Sequence, residues 1–431
     1  MAVAKGFSHC LHLALSYTIF RNMFLALLLL AAALPLSMPQ CLTATDDVRQ
    51  ISTDAHQALL QAEQHFSADL LQTIGSLNPD KNVFFSPSSI YRTMLLAYFV
   101  SANHTEAAIK KSLHLPEDKD KLDIVGAYNL ENYYQKLRSI QTDYQLSSAN
   151  RMYVSKYLRV SHCMKVLFAD EIVPANFREN LNHVLKKINN WVATQTRNVI
   201  KDFLSEDYVT SQTELVLINA AYFKGTWKCE FPKEDTSEGI FYLSNGKSVP
   251  VTMMFQENRF RVGLDMDLGV EVLELPYTGD DISMFVMLPL KPSPSAVPEL
   301  LKRLNSETLQ KTFNETASQT LHKIAVTIPK FSIEETIELT PILESMGVGD
   351  MFESTADLST LTESPAGLSF SDAIHKAKIQ VDEQGTEAAA ATAIISARIG
   401  IDPFIADRPF VYFLYDKVSN IVLFCGIFNS P

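Results

Sequence analysis

The residue types that could build an active site do not occur in any familiar catalytic spacing. The chain has no Gly-x-Ser-x-Gly nucleophile motif, no His-Glu-x-x-His zinc motif, no Cys-x-x-Cys pair and no P-loop. The segment that starts at Gly347, Gly-Val-Gly-Asp-Met-Phe, begins like a dinucleotide loop but lacks the third glycine. His375, which precedes Lys376, is more simply a hydrogen-bonded interior histidine than a general base. We therefore expect no enzymatic activity, no metal site and no cofactor.

The most informative chemistry is that of the backbone in residues 381–395, Val-Asp-Glu-Gln-Gly-Thr-Glu-Ala-Ala-Ala-Ala-Thr-Ala-Ile-Ile. No proline occurs between Glu383 and Asp402, so every N–H there can donate a hydrogen bond, as a central β-strand requires. Composition alone favours an alanine-rich helix or a linker, but the rest of the chain favours a strand outside its sheet. On a strand, small or β-branched residues share one face: Thr386, Ala388, Ala390, Thr392 and Ile394.

Length and composition predict one large soluble domain. A chain of 431 residues, 47% of them hydrophobic, can bury a large core, and no Pro/Gly/Ser-rich linker divides it. We expect this domain to span residues 45–431. The net charge of −12 and the lack of a Lys/Arg cluster argue against binding to nucleic acid or polyanions.

The amino-terminal residues predict export from the cell. An apolar run at residues 23–34 follows Arg21 and is too short to span a bilayer. We expect residues 1–44 to be a signal peptide or leader, with Met23 as an alternative start, and a secreted product without a membrane segment. A signal anchor is the alternative interpretation. Sequons for N-glycosylation at Asn103 and Asn314 fit a secreted chain if they are exposed.

The cysteine count predicts no disulfide framework. Cleavage of the leader between Cys41 and Ala44 would leave an odd number of cysteines, so at least one thiol should be free. Cys425 lies in an apolar strand pattern and is interpreted as an inert core residue. The three remaining cysteines would be Cys163, Cys229 and Cys425.

Hydrophobic periodicity changes from helical to strand-like along the chain. Residues 52–74 have helical spacing, Ser86 and Pro87 suit a helix start, and residues 181–196 form an amphipathic helix pattern that carries Trp191. Helices followed by many strands predict an α+β fold rather than a wound parallel sheet. The predicted strands are residues 215–223, 248–255, 270–275, 282–288, 323–333, 410–415 and 421–428.

Six motifs, in order along the chain, resemble those of the serpin family. Residues 82–90, Asn-Val-Phe-Phe-Ser-Pro-Ser-Ser-Ile, resemble the serpin shutter segment, and residues 218–227 resemble the strand that ends at the breach tryptophan. Residues 189–196 resemble the helix that lies across the main sheet. The other motifs are Glu274-Leu-Pro-Tyr, Ile328-Pro-Lys-Phe and Asp407-Arg-Pro-Phe-Val-Tyr-Phe-Leu. The resemblance covers residues 52–431.

The resemblance implies an α+β serpin fold: one large domain with three β-sheets, about nine helices and an exposed reactive-centre loop at about residues 383–408. It implies a polar shutter of Ser86, Ser89, Asn219 and His375, and a breach of Trp227, Lys330 and Glu383 in which Lys330 pairs with Glu383. The hinge of the loop keeps the inhibitory pattern, without bulky or proline residues. Its members are Glu383, Gly385, Thr386, Ala388, Ala389, Ala390 and Ala391.

Family spacing leaves two positions open for the bond that a protease would attack. Counting backward from Pro409 places it at Arg398–Ile399, whereas counting forward from Glu383 places it at Ile399–Gly400. We favour Arg398–Ile399, because an exposed arginine in an uncharged stretch fits a trypsin-like pocket that bears a carboxylate. The alternative bond would direct the loop to elastase-like enzymes.

These features predict a secreted, monomeric suicide inhibitor of a serine protease, most simply a trypsin-like one. The cleaved loop would enter the central sheet and trap the acyl-enzyme. The alternative is a non-inhibitory serpin that acts as a carrier or storage protein, which the alanine-rich hinge disfavours. A secreted hydrolase is disfavoured by the missing nucleophile motif. The sequence does not identify the physiological protease.

Overall fold

The computed structural model describes residues 41–42, 53–138, 144–365, 367–385 and 403–431. The chain divides into two units, Met1–Asp47 and Val48–Pro431, and every helix and strand given below belongs to the second unit. Among the described residues, no helix combines the length and the apolar character needed to cross a membrane.

The described residues contain nine α-helices, as the resemblance implies. The first shows why the periodicity identified it: Leu59, Phe66, Leu70 and Ile74 are all buried on one face. The helices are α1 (Thr53–Leu77), α2 (Pro87–Val100), α3 (Asn103–Ser112), α4 (Lys121–Arg138), α5 (His162–Leu167), α6 (Phe177–Gln195), α7 (Ala296–Arg303), α8 (Ser306–Ala317) and α9 (Thr340–Leu343).

Helix α2 is the central helix, and every one of its residues is buried. It starts where the sequence predicts, with Pro87 in the first turn and Ser86 as the N-cap. The Ser89 backbone N–H donates to Ser86 Oγ over 3.2 Å, which satisfies one of the otherwise unpaired N–H groups of the first turn.

In the part of the chain that the structure describes, fourteen strands form the sheets. Their order is β10-β11-β4-β2-β3 in a five-stranded sheet and β1-β14-β13-β8-β7-β6-β9-β12 in a nine-stranded one, with β5 beside β6. The strands are β1 (Val83–Phe85), β2 (Tyr144–Ser155), β3 (Ile172–Ala175), β4 (Leu215–Gly225), β5 (Ser237–Tyr242), β6 (Ser248–Asp265), β7 (Val270–Pro276), β8 (Ile282–Pro289), β9 (His322–Pro329), β10 (Phe331–Glu338), β11 (Asp372–Val381), β12 (Pro403–Ile405), β13 (Phe410–Asp416) and β14 (Ile421–Phe428).

The long strand β6 divides the nine-stranded sheet into two parts. Residues 253–260 of β6 pair with β9, whereas residues 261–265 pair with β7, and the two pairings do not overlap. One part therefore holds β5, β9 and β12, and the other holds β7, β8, β13, β14 and β1. Together with the five-stranded sheet, these parts correspond to the three sheets that the resemblance implies.

The predicted strand at residues 323–333 is wrong, because two strands of different sheets replace it. Strand β9 ends at Pro329, and β10 begins at Phe331. Between them, the Lys330 N–H donates to Thr252 O over 2.9 Å, where the chain passes from one sheet to the other. Local hydrophobic spacing continues across this point, so the break depends on tertiary pairing alone.

The five-stranded sheet has a covered outer face and a core face. Helix α6 packs on the outer face, where its Ile188 and Val192 lie in one cluster with Ile218 of β4 and Ile374 of β11. The predicted helix at 181–196 is thus confirmed, although it begins at Phe177. Trp191, which the sequence placed on this helix, lies against Arg151 of β2. The Arg151 guanidinium carbon is 4.1 Å from the centroid of the Trp191 ring, a cation–π contact between the helix and the strand.

Candidate functional site

A buried polar cluster, here called the shutter, lies where β4 and β11 run side by side. His375 of β11 and Asn219 of β4 are paired in register, and both are fully buried. The Ser86 N–H donates to His375 Nε2 over 3.1 Å, so this nitrogen is the acceptor. The other nitrogen, Nδ1, is therefore the one that donates to Asn219 Oδ1.

The Asn219 side-chain amide connects the two strands to helix α2 and to β2. Its Nδ2 lies 2.8 Å from Ser89 O, from Ser89 Oγ and from Thr93 Oγ1, and 2.7 Å from Asn150 Oδ1. Ser86 Oγ donates to Leu423 O over 2.7 Å. The four predicted shutter residues thus meet in one network, since buried polar groups need partners.

Sequence reasoning missed two members of the shutter. Thr93 lies one helical turn after Ser89, a spacing that could have indicated it. Asn150 lies on β2, and this strand has Gln, Ser, Asn and Arg residues in place of a clear alternation of polar and apolar side chains. Without the strand, its approach to Asn219 had no signal in the sequence.

Burial controls the charge of the shutter. Complete burial lowers the pKa of His375 to about 3, because the charged imidazolium would lose its hydration. The imidazole is therefore neutral at physiological pH, as its acceptor role toward the Ser86 N–H requires.

The predicted breach pair is formed at the upper end of the five-stranded sheet. Lys330 Nζ lies 2.8 Å from Glu383 Oε2, and Thr236 Oγ1 donates to Glu383 Oε1 over 3.0 Å. The Glu383 side chain is only 4% exposed, whereas that of Lys330 is 42% exposed. Burial acts to raise the pKa of Glu383, but its hydrogen bonds outweigh burial, and the pKa lies below the usual value.

Trp227 anchors the residues that follow β11. Its Nε1–H donates to Asp382 O over 2.9 Å, and its backbone N–H donates to Gln384 O over 2.8 Å. The Phe231 N–H donates to Glu383 O over 2.7 Å. Three successive carbonyl oxygens are thus held by residues 227–231, and the Trp227 ring is itself stacked on Tyr277 at 4.4 Å between centroids.

The bounds expected for the exposed loop, residues 383–408, are wrong at both ends. Glu383 is buried in the breach, and strand β12 pairs in parallel with β9, so that Phe404 and Ala406 are fully buried. Tertiary pairing, which the spacing of residues does not reveal, causes both differences. The predicted residues Thr386, Ala388, Ala389, Ala390, Ala391, Arg398, Ile399 and Gly400 lie outside the described residues.

The cysteine prediction requires a correction. Cys163 is disulfide-bonded, and so is Cys41, which the prediction had assigned to the leader and left out of the count. The expectation of a free thiol is confirmed, since Cys229 and Cys425 are free. Burial raises the pKa of the Cys425 thiol, in keeping with an inert core residue.

Both sequon asparagines are exposed, at the start of α3 and within α8. Asn103 Nδ2 donates to Asp357 Oδ2 over 2.7 Å.

Among the described residues, no group of three or more His, Cys, Asp or Glu side chains is placed to hold a metal ion.

Comparisons with known proteins agree with this fold. The family described as Serpin (serine protease inhibitor) matches residues 61–431. The chain is 37% identical over 398 residues to Serine protease inhibitor 88Ea of Drosophila melanogaster, which covers 88% of this chain and 92% of that protein. It is 34% identical over 387 residues to Leukocyte elastase inhibitor of Sus scrofa, covering 87% of this chain and 100% of that protein.

Solved structures show the same architecture. Maspin superposes with a TM-score of 0.78 at 29% identity, and the match covers 88% of this chain and 100% of the maspin chain. Uncleaved ovalbumin superposes with a TM-score of 0.75 at 29% identity, covering 86% of this chain and 100% of that one. The chain belongs to the serpin family.

Proposed function

We propose that this serpin is a secreted suicide inhibitor of trypsin-like serine proteases, with Arg398–Ile399 as the bond attacked. The observation that carries the proposal is the geometry of β4 and β11. They run parallel and pair from Asp372–Val216 to Lys378–Tyr222, and the loop leaves from the upper end of β11. A strand that turned back from that end would run antiparallel to both neighbours, and antiparallel pairing is slightly more stable per residue.

The inhibitory reaction begins as an ordinary proteolytic step, in which the protease forms a covalent bond to the loop. The serine Oγ of the protease attacks the Arg398 carbonyl carbon, an ester bond forms, and the peptide bond breaks as Ile399 leaves with a proton on its new amino group. Insertion of the cleaved loop then adds roughly ten strand hydrogen bonds at ~1 kcal/mol net each, or about 10 kcal/mol. This is comparable to the ~5–15 kcal/mol stability of an ordinary domain, and can distort a protease that the loop carries along.

The shutter and the breach provide the barrier that keeps the uncleaved form intact. Insertion must separate β4 from β11, which breaks the bond between His375 and Asn219 as well as the strand pairing. A form held by such a barrier is stable for kinetic rather than thermodynamic reasons. Cleavage removes the restraint on the loop, and the small residues of the hinge allow insertion under the helix that covers the sheet.

The decisive experiment mixes the purified protein with trypsin and separates the products on a denaturing gel. An adduct that survives denaturation supports the proposal, and trypsin whose serine has been blocked is the control that should give none. Clean cleavage with full protease activity remaining would favour the alternative, a non-inhibitory carrier or storage serpin.

The attacked bond can be read from the released carboxyl-terminal fragment. Its mass should correspond to a start at Ile399 for our assignment. A start at Gly400 would favour the alternative, an elastase-like target. The Sus scrofa relative is named Leukocyte elastase inhibitor, which is the reason to test this alternative. A parallel reaction with elastase compares the two enzymes directly.

Secretion, glycosylation and the monomeric state are part of the same proposal. Expression of the full chain in eukaryotic cells should place the protein in the medium, with the leader removed on the amino-terminal side of the disulfide-bonded Cys41. Exposed Asn103 and Asn314 should each carry a glycan, which enzymatic deglycosylation would reveal as two mass steps. Light scattering of the secreted protein should give the mass of one chain.

A further inference from the structure

A cleft of ≈ 450 Å³ separates two sheets beside the breach. One wall is the start of β10, which is the edge strand of the five-stranded sheet. The other wall is formed by β5 and β6, and β5 is itself an edge strand that pairs with β6. Small-molecule sites in proteins have volumes of about 300–1,000 Å³. The cleft is therefore large enough for a small organic ligand.

A row of three polar side chains crosses the rim of the cleft. Glu238 of β5 pairs in register with Thr252 of β6, and on the other side the Lys330 N–H donates to Thr252 O over 2.9 Å. Directly opposite residues of neighbouring strands point to the same face, and all three residues are exposed. Two strand spacings put the Cα atoms of Glu238 and Lys330 about 10 Å apart. The rim therefore presents a carboxylate, a hydroxyl and an ammonium in that order.

Both charged groups of this row have hydrogen-bonding capacity left. Lys330 Nζ lies 2.8 Å from Glu383 Oε2, which occupies one of the three N–H donors of an ammonium. The Lys330 side chain is 42% exposed, so its other donors can be reached from the cleft. In the part of the chain that the structure describes, the Glu238 carboxylate has neither a hydrogen-bond donor nor a cationic partner. The rim thus complements a ligand that carries both an ammonium and a carboxylate.

The buried residues that line the cleft are apolar. Val251 of β6 is 8% exposed, Ile333 of β10 is 7% exposed and Phe428 of β14 is 1% exposed, with the half-buried Phe331 beside them. Apolar side chains of a ligand gain free energy when they leave water for such a surface. A simple ion would use one charge of the rim and none of this apolar lining, whereas an amphipathic zwitterion uses both.

We propose that the cleft binds a short zwitterionic peptide with apolar side chains, in the form of a dipeptide. The peptide ammonium pairs with Glu238, the peptide carboxylate accepts from Lys330, and the central peptide group faces Thr252. An extended dipeptide spans about 7 Å, and the Glu238 and Lys330 side chains reach inward over the remaining ~3 Å. This binding concerns the uncleaved protein and does not depend on the inhibition of a protease.

A ligand-observed NMR titration of the uncleaved protein with leucyl-phenylalanine tests the proposal. Three related compounds each lack one recognised feature: N-acetyl-leucyl-phenylalanine lacks the ammonium, leucyl-phenylalanine amide lacks the carboxylate, and glycyl-glycine lacks the apolar side chains. Each should bind more weakly, and the loss of one exposed charge pair should cost about 2- to 5-fold in affinity. Equal affinities for leucyl-phenylalanine and its acetylated form, or no binding of any compound, would overturn the proposal.

A variant of the rim identifies the contact. Glu238→Gln should weaken leucyl-phenylalanine about 2- to 5-fold and leave the acetylated compound unchanged, because that compound has no ammonium to pair. Glu117→Gln is the matched control, since the Glu117 side chain is 92% exposed and lies outside the cleft, and it should change neither affinity. Equal thermal unfolding midpoints of the variants and the unmodified protein check that all are folded. Equal weakening of both compounds by Glu238→Gln would contradict the proposed pairing.

Discussion

His375 and Asn219 stand directly opposite each other on two parallel strands, and the hydrogen bond between their side chains crosses the line along which the sheet would open. The bond is buried and has no solvent to compete with it. The two residues are 156 positions apart in the sequence. Their contact links the stability of the uncleaved form to a single neutral imidazole.

Replacing His375 should change how stability depends on pH. The folded pKa is about 3 and the unfolded pKa about 6.5, so between these values the unfolded chain binds more protons. Stability from the neutral imidazole is complete above about pH 6.5 and is lost as pH falls, by about 2 kcal/mol at pH 5. The difference between the free energies of unfolding in urea at pH 7.5 and pH 5 should shrink by that amount in His375→Gln. An unchanged difference would show that His375 titrates normally.

Removing the Lys330 ammonium should destabilise the uncleaved protein more than removing an exposed equivalent. Lys330→Met leaves the buried Glu383 carboxylate without its cation, at a cost of about 1–3 kcal/mol. Lys323→Met is the matched control, because Lys323 Nζ lies 2.9 Å from Glu257 Oε2 in a more exposed ion pair. The Lys323 side chain is 50% exposed and that of Glu257 is 23% exposed. That pair should contribute less than about 1 kcal/mol. Equal losses in urea unfolding would contradict the importance of burial at the breach.

A methyl group at Gly385 should disrupt the turn at residues 382–385, in which the Asp382 N–H donates to Gly385 O over 3.3 Å and the Gly385 N–H donates to Asp382 O over 3.2 Å. In Gly385→Ala, the new Cβ would meet Gly225 O at 2.2 Å and Trp227 N at 2.7 Å, so the turn must move. Gly246→Ala also has a positive φ, +79°, but no atom lies within 4 Å of its added Cβ. The control should lose only the strain of a left-handed backbone, about 1–3 kcal/mol, and Gly385→Ala should lose more. Thermal unfolding of the two variants measures the difference, and equal shifts would mean that the collision is relieved without cost.

A charge on the face that Thr386 would share with Ala388 and Ala390 on an inserted strand should convert an inhibitor into a substrate. Thr386→Arg would require the burial of a guanidinium when the loop enters the sheet, which slows insertion and gives hydrolysis time to release the protease. Glu387→Arg adds the same side chain at the adjacent position, on the opposite face, and should form more adduct. The ratio of adduct to cleaved product with trypsin is the measurement. Undiminished adduct from Thr386→Arg would argue against the proposed geometry of insertion.

Local signals predicted the helices well and the strands less completely. Helix α1 was recognised because its buried residues repeat with the period of a helix, and α2 because Ser86 and Pro87 mark a helix start. The prediction missed β2, whose polar residues do not alternate clearly with apolar ones. It joined β9 and β10 because nothing in the spacing around Lys330 shows that the chain changes sheets.

By itself, the sequence determined the α+β class and, through its resemblance to the serpin family, the polar residues of the shutter and the breach. It also indicated that, on a strand, the small residues from Thr386 onward would share one face. These conclusions depend on residue type and on the order of neighbouring residues, and both are visible in the sequence. Only the tertiary structure decided that Asn150 and Thr93 complete the shutter, that Cys163 is disulfide-bonded and that Asp382–Gly385 is a closed turn on Trp227. Each of these depends on contacts between distant parts of the chain, and local spacing does not specify which distant groups will meet.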